Sequence, residues 1–136
     1  MSPNEIELVQ ASWRHASPIA DTVVRLFYRR LFERAPEVRE RFHTSMSEQG
    51  DHLIGAVEEL LSRLDQGDAV SGMVLSEQSF ADRGEEVADA WLWALEQEIG
   101  RCASEGARNA WRRAIQSDAG VAFKLVALGE VELVGA

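Results

Sequence analysis

Residues 26–52 read LFYRRLFERAPEVRERFHTSMSEQGDH, and the rest of the chain arranges itself as helices around them. Leu26, Phe27, Tyr28, Leu31 and Phe32 fall at the spacing of one apolar helix face. Ala35-Pro36 stops that helix, because the residue before a proline is pushed out of the helical region. Pro36 can open one or two further turns that end at Phe42. A polar link, His43 to Ser47, leads to Gln49 and His52 at the start of a new apolar helix. A helix, a corner aromatic and a second helix with a polar residue in its first turns can together wall a buried pocket.

Working outward, Ser2-Pro3-Asn4-Glu5 has the pattern of a capped helix start: serine caps, proline takes the first helical position and glutamate bonds back. Ile6, Val9 and Trp13 follow at helical spacing, and Ser17-Pro18 ends this helix and starts a second, with serine again read as the cap. The long helix after residue 47 carries Leu53, Ile54, Val57, Leu60, Leu61 and Leu64 opposite Glu58, Glu59 and Arg63, and Gly67 closes it. Residues 68–83 have no clear period and read as a loop with at most a short helix. Val87, Trp91, Leu92, Leu95 and Ile99 make the next helix, ended by Gly100. Ser104 caps a last one that carries Trp111, Ile115, Ala119, Ala122, Leu125 and Leu128. The tail, 130–136, is expected to fray. The pattern gives one all-α domain over 1–136 with about six to seven helices, and no strand run, phosphate loop or internal repeat.

Composition narrows the function classes. A chain of 136 residues suits one domain with a proper core. Its single cysteine, Cys102, forbids an intrachain disulfide and fits a reducing, cytoplasmic setting. The N-terminus has no signal-peptide pattern and no stretch has the length of a membrane span. A net charge of −9 repels phosphate backbones, so nucleic acid is not an expected partner. The one basic cluster, Arg25, Arg29, Arg30, Arg34, Arg39 and Arg41, is interleaved with Glu33, Glu37 and Glu40. It reads as a solvated, salt-bridged face, or as an arginine rim for an anion such as a carboxylate or propionate.

Enzyme chemistry finds little support. There is no His-Glu-x-x-His pair and no cysteine–histidine cluster, no serine in a nucleophile elbow, and the carboxylates fall on polar helix faces. Tyr28 and Gln49 are more informative. Taken singly, each reads as a surface residue; taken together, they are a polar pair aimed into an apolar cleft. Buried without partners, each costs about 1–3 kcal/mol, so they must bond each other, a water or a ligand.

LVQASW (8–13), PIADTVVRLFYRRLFERAPEVRERF (18–42), MSEQGDHL (46–53), Leu64-Asp65, VADAWLWALEQEIG (87–100) and NAWRRA (109–114) together resemble the single-domain bacterial haemoglobins and the globin part of flavohaemoglobins. The resemblance covers most of the chain and implies a globin-like fold with haem as cofactor. It places Tyr28 and Gln49 at the distal tyrosine and glutamine that face a gas on the iron, Phe42 at the phenylalanine that stacks on haem, and Leu53 at the apolar residue over the iron. The proximal side departs from the family. Val74 stands where the iron-ligating histidine belongs, Gly84 where a proximal tyrosine belongs, and the position of its partner glutamate falls on or near Val126. The segment between Asp65 and Val74 is also several residues shorter. No histidine follows His52, so His52, or more weakly Met73 beside the vacated position, is the candidate axial ligand.

Two functions are expected on this basis. One is a haem protein that binds oxygen or another diatomic gas with atypical ligation. The alternative is a haem-free globin-fold regulatory or interaction domain that takes an apolar ligand such as a fatty acid. A homodimer is compatible with either. NO dioxygenase activity is disfavoured, because the chain ends at Ala136 without a reductase domain and lacks the proximal tyrosine and glutamate.

Overall fold

The computed structural model describes residues 2–40, 45–66, 84–100, 104–117 and 120–128. These are all-α, and no strand occurs among them. Five helices have twelve residues or more: α1 (Pro3–Ala16), α2 (Ala20–Arg34), α4 (Met46–Gln66), α5 (Gly84–Ile99) and α6 (Glu105–Gln116). Two shorter ones, α3 (Pro36–Arg39) and α7 (Val121–Ala127), complete the described set.

Local chemistry sets most boundaries. The Glu5 amide donates to the Ser2 hydroxyl and the Ser2 amide to the Glu5 carboxylate, a reciprocal cap with Pro3 in the first helical position. Glu5 is thereby held below the ordinary carboxylate range, chiefly by the Ser2 backbone bond. The Ala107 amide donates to the Ser104 hydroxyl at the start of α6. Ser17, in contrast, makes no side-chain cap: Ser17–Ile19 form a tight 3-10 turn, and α2 follows from Ala20. Ala35 leaves the helical region at φ −137°, ψ 73°, as the residue before Pro36 should. Gly67, the segment 68–83 expected as a loop and the tail 130–136 expected to fray lie outside the described residues.

The last helix differs from its sequence pattern. Ser104 to Leu128 does not run as one rod, because Ser117 turns extended (φ −81°, ψ 172°) and its hydroxyl donates to the Ala114 carbonyl at 2.7 Å. Side chain thus competes with helix at this serine. Gly120 lies so close to the end of α6 that a Cβ on it would be 2.1 Å from the Ile115 carbonyl oxygen. Only glycine admits that approach, and α7 starts afresh at Val121.

The core centres on Trp91 of α5. Its ring centroid lies 6.0 Å from Trp13, 5.7 Å from Phe27, 5.7 Å from Trp111 and 5.3 Å from Phe123, so α1, α2, α6 and α7 all meet there. Tilted and edge-on pairs at these separations add to the gain from burial. The Trp111 indole N–H donates to the Ser12 hydroxyl at 2.6 Å, and that hydroxyl donates to the Val9 carbonyl at 2.9 Å. This pair ties α6 to α1 across the core. The crossing of α2 and α4 is close, since a Cβ on Gly50 would meet Val24 Cγ1 at 3.2 Å.

Candidate functional site

Ser45 sets the register of the site. The Glu48 amide donates to its hydroxyl and the Gln49 amide to its carbonyl, so α4 begins at Met46 with Gln49 in its first turn. Ser45-x-x-Glu48 is itself a capping-box pattern, a signal inside the polar stretch 43–47 that marks the helix start. From this start Gln49 and Leu53 fall on one face, turned toward α2 and α7.

Tyr28 and Gln49 are both buried, at 3% and 6% exposure. The Gln49 amide nitrogen donates to the Tyr28 hydroxyl at 2.9 Å and to the Val126 carbonyl at 2.8 Å. Gln49 thus bonds both the Tyr28 side chain and the backbone. The Val126 carbonyl belongs to the last turn of α7, where the Leu128 amide is shared between it and the Lys124 carbonyl and it has no full partner inside the helix. Gln49 therefore caps α7 from a different helix, and α7 packs directly on α4. Burial pushes the Tyr28 phenol well above its ordinary range, and the Gln49 hydrogen bond only partly offsets this. Phe27 meets the Tyr28 ring edge-on at 4.9 Å and Phe32 lies 5.4 Å away, which fixes the phenol in place. Leu53 is fully buried in the same core.

His52 is half-buried, one turn after Gln49 and outside the pair's hydrogen bonding. Phe42, Met73 and Val74 lie outside the described residues. Val126 is a buried apolar residue that contributes its carbonyl. Among the described residues no cluster of three or more histidine, cysteine or acidic side chains could hold a metal, and no helix is long and apolar enough to cross a membrane.

A distal haem wall needs Tyr28 and Gln49 to present polar atoms to a ligand on the iron. Here the amide donors of Gln49 are both engaged within the protein, and α7 is seated against α4 beside it. Among the described residues, the Gln49 donors are therefore not presented to a ligand on haem.

Beside this pair, on the outer side of the α2–α4 crossing, lies a cleft of about 530 Å³. Val24, Tyr28, Phe32 and Gly50 give it an apolar floor; Arg25, Arg29, Arg39, Asp21, Asp51 and Ser47 line the remainder. The basic cluster of the sequence is thus divided between two roles. Arg29 and Arg30 lie 3.7 Å from Glu33, and Arg30 also covers the Trp93 ring. Arg34 reaches Asp89, which Arg112 also holds. These form the salt-bridged face. Arg25 and Arg39 make no ion pair or hydrogen bond among the described residues, and both open on the cleft. The cleft's acidic and small residues, Asp21, Asp51 and Gly50, carried no signal in the sequence that set them apart from other helix-surface positions.

Neither a family model nor a curated protein matches this chain.

Proposed function

We propose that the chain is a globin-like ligand-binding domain that works without haem and performs no chemistry on what it binds. The observation that carries this reading is that both hydrogen bonds of the Gln49 amide nitrogen, to the Tyr28 hydroxyl and to the Val126 carbonyl, lie within the protein. A distal pair left without internal partners would favour a gas ligand as its missing acceptor or donor. A pair already bonded within the protein removes that need, and opening it to admit a ligand costs about 0.5–1.5 kcal/mol for each hydrogen bond broken. Valine at the position the resemblance reserves for the iron-binding histidine points the same way. The absence of a catalytic constellation from the sequence supports a binding role.

The test is to add hemin to the purified chain and record the visible spectrum. Free-hemin absorption is the expected result. A stoichiometric Soret band that shifts with CO would return the chain to the haem-binding reading. Loss of that band in His52→Ala would then identify the axial ligand.

A further inference from the structure

We propose that the cleft between α2 and the start of α4 binds a singly charged amphiphilic anion, with its carboxylate held by Arg25 and Arg39 and its apolar body laid on Val24, Tyr28 and Phe32. The argument begins with charge. The chain carries 23 acidic residues against 14 basic ones, so an arginine without a carboxylate partner is the exception. Every other described arginine has a carboxylate within salt-bridge reach. Arg25 and Arg39 have none, and they line one cleft from two different helices, α2 and α3. Guanidinium groups are suited to binding a planar carboxylate through paired N–H donors. Asp21 lies four residues before Arg25 on the same helix, a spacing that often pairs, yet no ion pair forms between them.

The floor supplies the second half of the specificity. Phe32, partly buried, offers the larger apolar surface, and Val24 and Tyr28, almost wholly buried, close the floor beneath it, fixed by the packing behind. A volume of about 530 Å³ lies within the range of small-molecule sites. Asp21 and Asp51 on the same walls disfavour a polyanion such as a nucleotide, because each added negative charge meets one of them. One negative charge on an apolar chain satisfies both the arginines and the floor.

This inference rests on the reading of the chain as a binding domain and separates from the question of haem by its probe. Isothermal titration of the full chain with decanoate should show saturable one-to-one binding. The double variant Arg25→Gln/Arg39→Gln, with helicity checked by circular dichroism, should weaken it at least about tenfold. Decanol should bind wild type more weakly than decanoate and be indifferent to the double variant. Raising the salt concentration should weaken decanoate more than decanol, since screening acts on the charged head alone. No saturable decanoate binding, equal binding by the double variant, or equally tight binding of inorganic phosphate would each overturn the proposal. Failure here with a negative hemin test would leave the haem-free reading in place; a hemin-positive result with decanoate binding would do the reverse.

Discussion

Replacing Gln49 by leucine separates a structural role for this residue from a ligand-binding one. Leucine keeps most of the volume and the helix propensity, so the change acts mainly on the two hydrogen bonds, 2.9 Å to the Tyr28 hydroxyl and 2.8 Å to the Val126 carbonyl. Each such bond contributes about 0.5–1.5 kcal/mol net, and a buried acceptor left bare costs about 1–3 kcal/mol. The apolar side chain recovers part of this by burial. A net loss of about 2–3 kcal/mol is expected, from a total that for most domains is about 5–15 kcal/mol. Urea unfolding followed by tryptophan fluorescence measures it, with four tryptophans as reporters. The loss should concentrate in α7, whose amides should exchange faster while those of α5 keep their protection relative to the lowered global stability. Tyr28→Phe is the control: Gln49 keeps the Val126 carbonyl, so the cost should stay near 1 kcal/mol, about one neutral hydrogen bond. A variant Gln49→Leu as stable as wild type, or less damaging than Tyr28→Phe, would refute the view that Gln49 holds α7 to α4.

Two further predictions concern the core. Tyr28 is the only tyrosine, so phenolate absorbance in an alkaline titration reports this one group. With its ionisation pushed upward by burial, the folded protein favours the neutral phenol. Tyr28's contribution to stability should be intact below the ordinary phenol value of about 10 and decline as pH rises beyond it. The stability difference between wild type and Tyr28→Phe should therefore shrink above that pH, whereas a phenol that titrates normally in the folded state would contradict the buried placement. Ser12→Ala should strand the Trp111 indole N–H and cost about 1–3 kcal/mol in the same urea assay, well above what an exposed serine would cost; a change near zero would show that this indole has another acceptor.

Where local rules act alone, the sequence was a sufficient guide. Ser2-Pro3-x-Glu5, Ser104 and Ala35-Pro36 each determine a helix end through atoms a few residues apart, and each appears in the structure as read. The polar pair was legible too, because two polar residues in apolar contexts must find partners and the choice of partners is short. Which partner they took was not legible. The Val126 carbonyl lies 77 residues from Gln49 in sequence and belongs to the backbone, so no side-chain pattern marks it. The break between α6 and α7 was hidden for a related reason. Ile115, Ala119 and Ala122 keep the helical period across it, and only the Ser117 hydroxyl and the crowding at Gly120 decide against a continuous helix. The division of the arginines depended on geometry throughout. Arg25, Arg29 and Arg39 are alike in sequence, but Glu33 lies within reach of Arg29 alone among them.

These observations bear on how Tyr28 and Gln49 should be weighed as marks of function. A pair that served a bound ligand would leave a donor turned toward it, and its removal would cost binding more than stability. In this chain the same two residues lie where α2, α4 and α7 meet, and Gln49 supplies a donor to the end of α7. A residue pair placed so contributes to stability whether or not anything binds beside it. The identity of residues 28 and 49 therefore cannot distinguish the two roles; the direction of the Gln49 amide can. It points to the phenol and the α7 carbonyl, and away from the neighbouring cleft, which is left to be served by Arg25 and Arg39. On the proposed binding reading, the ligand is to be sought at the charged rim of the cleft, with the polar pair as the wall behind it.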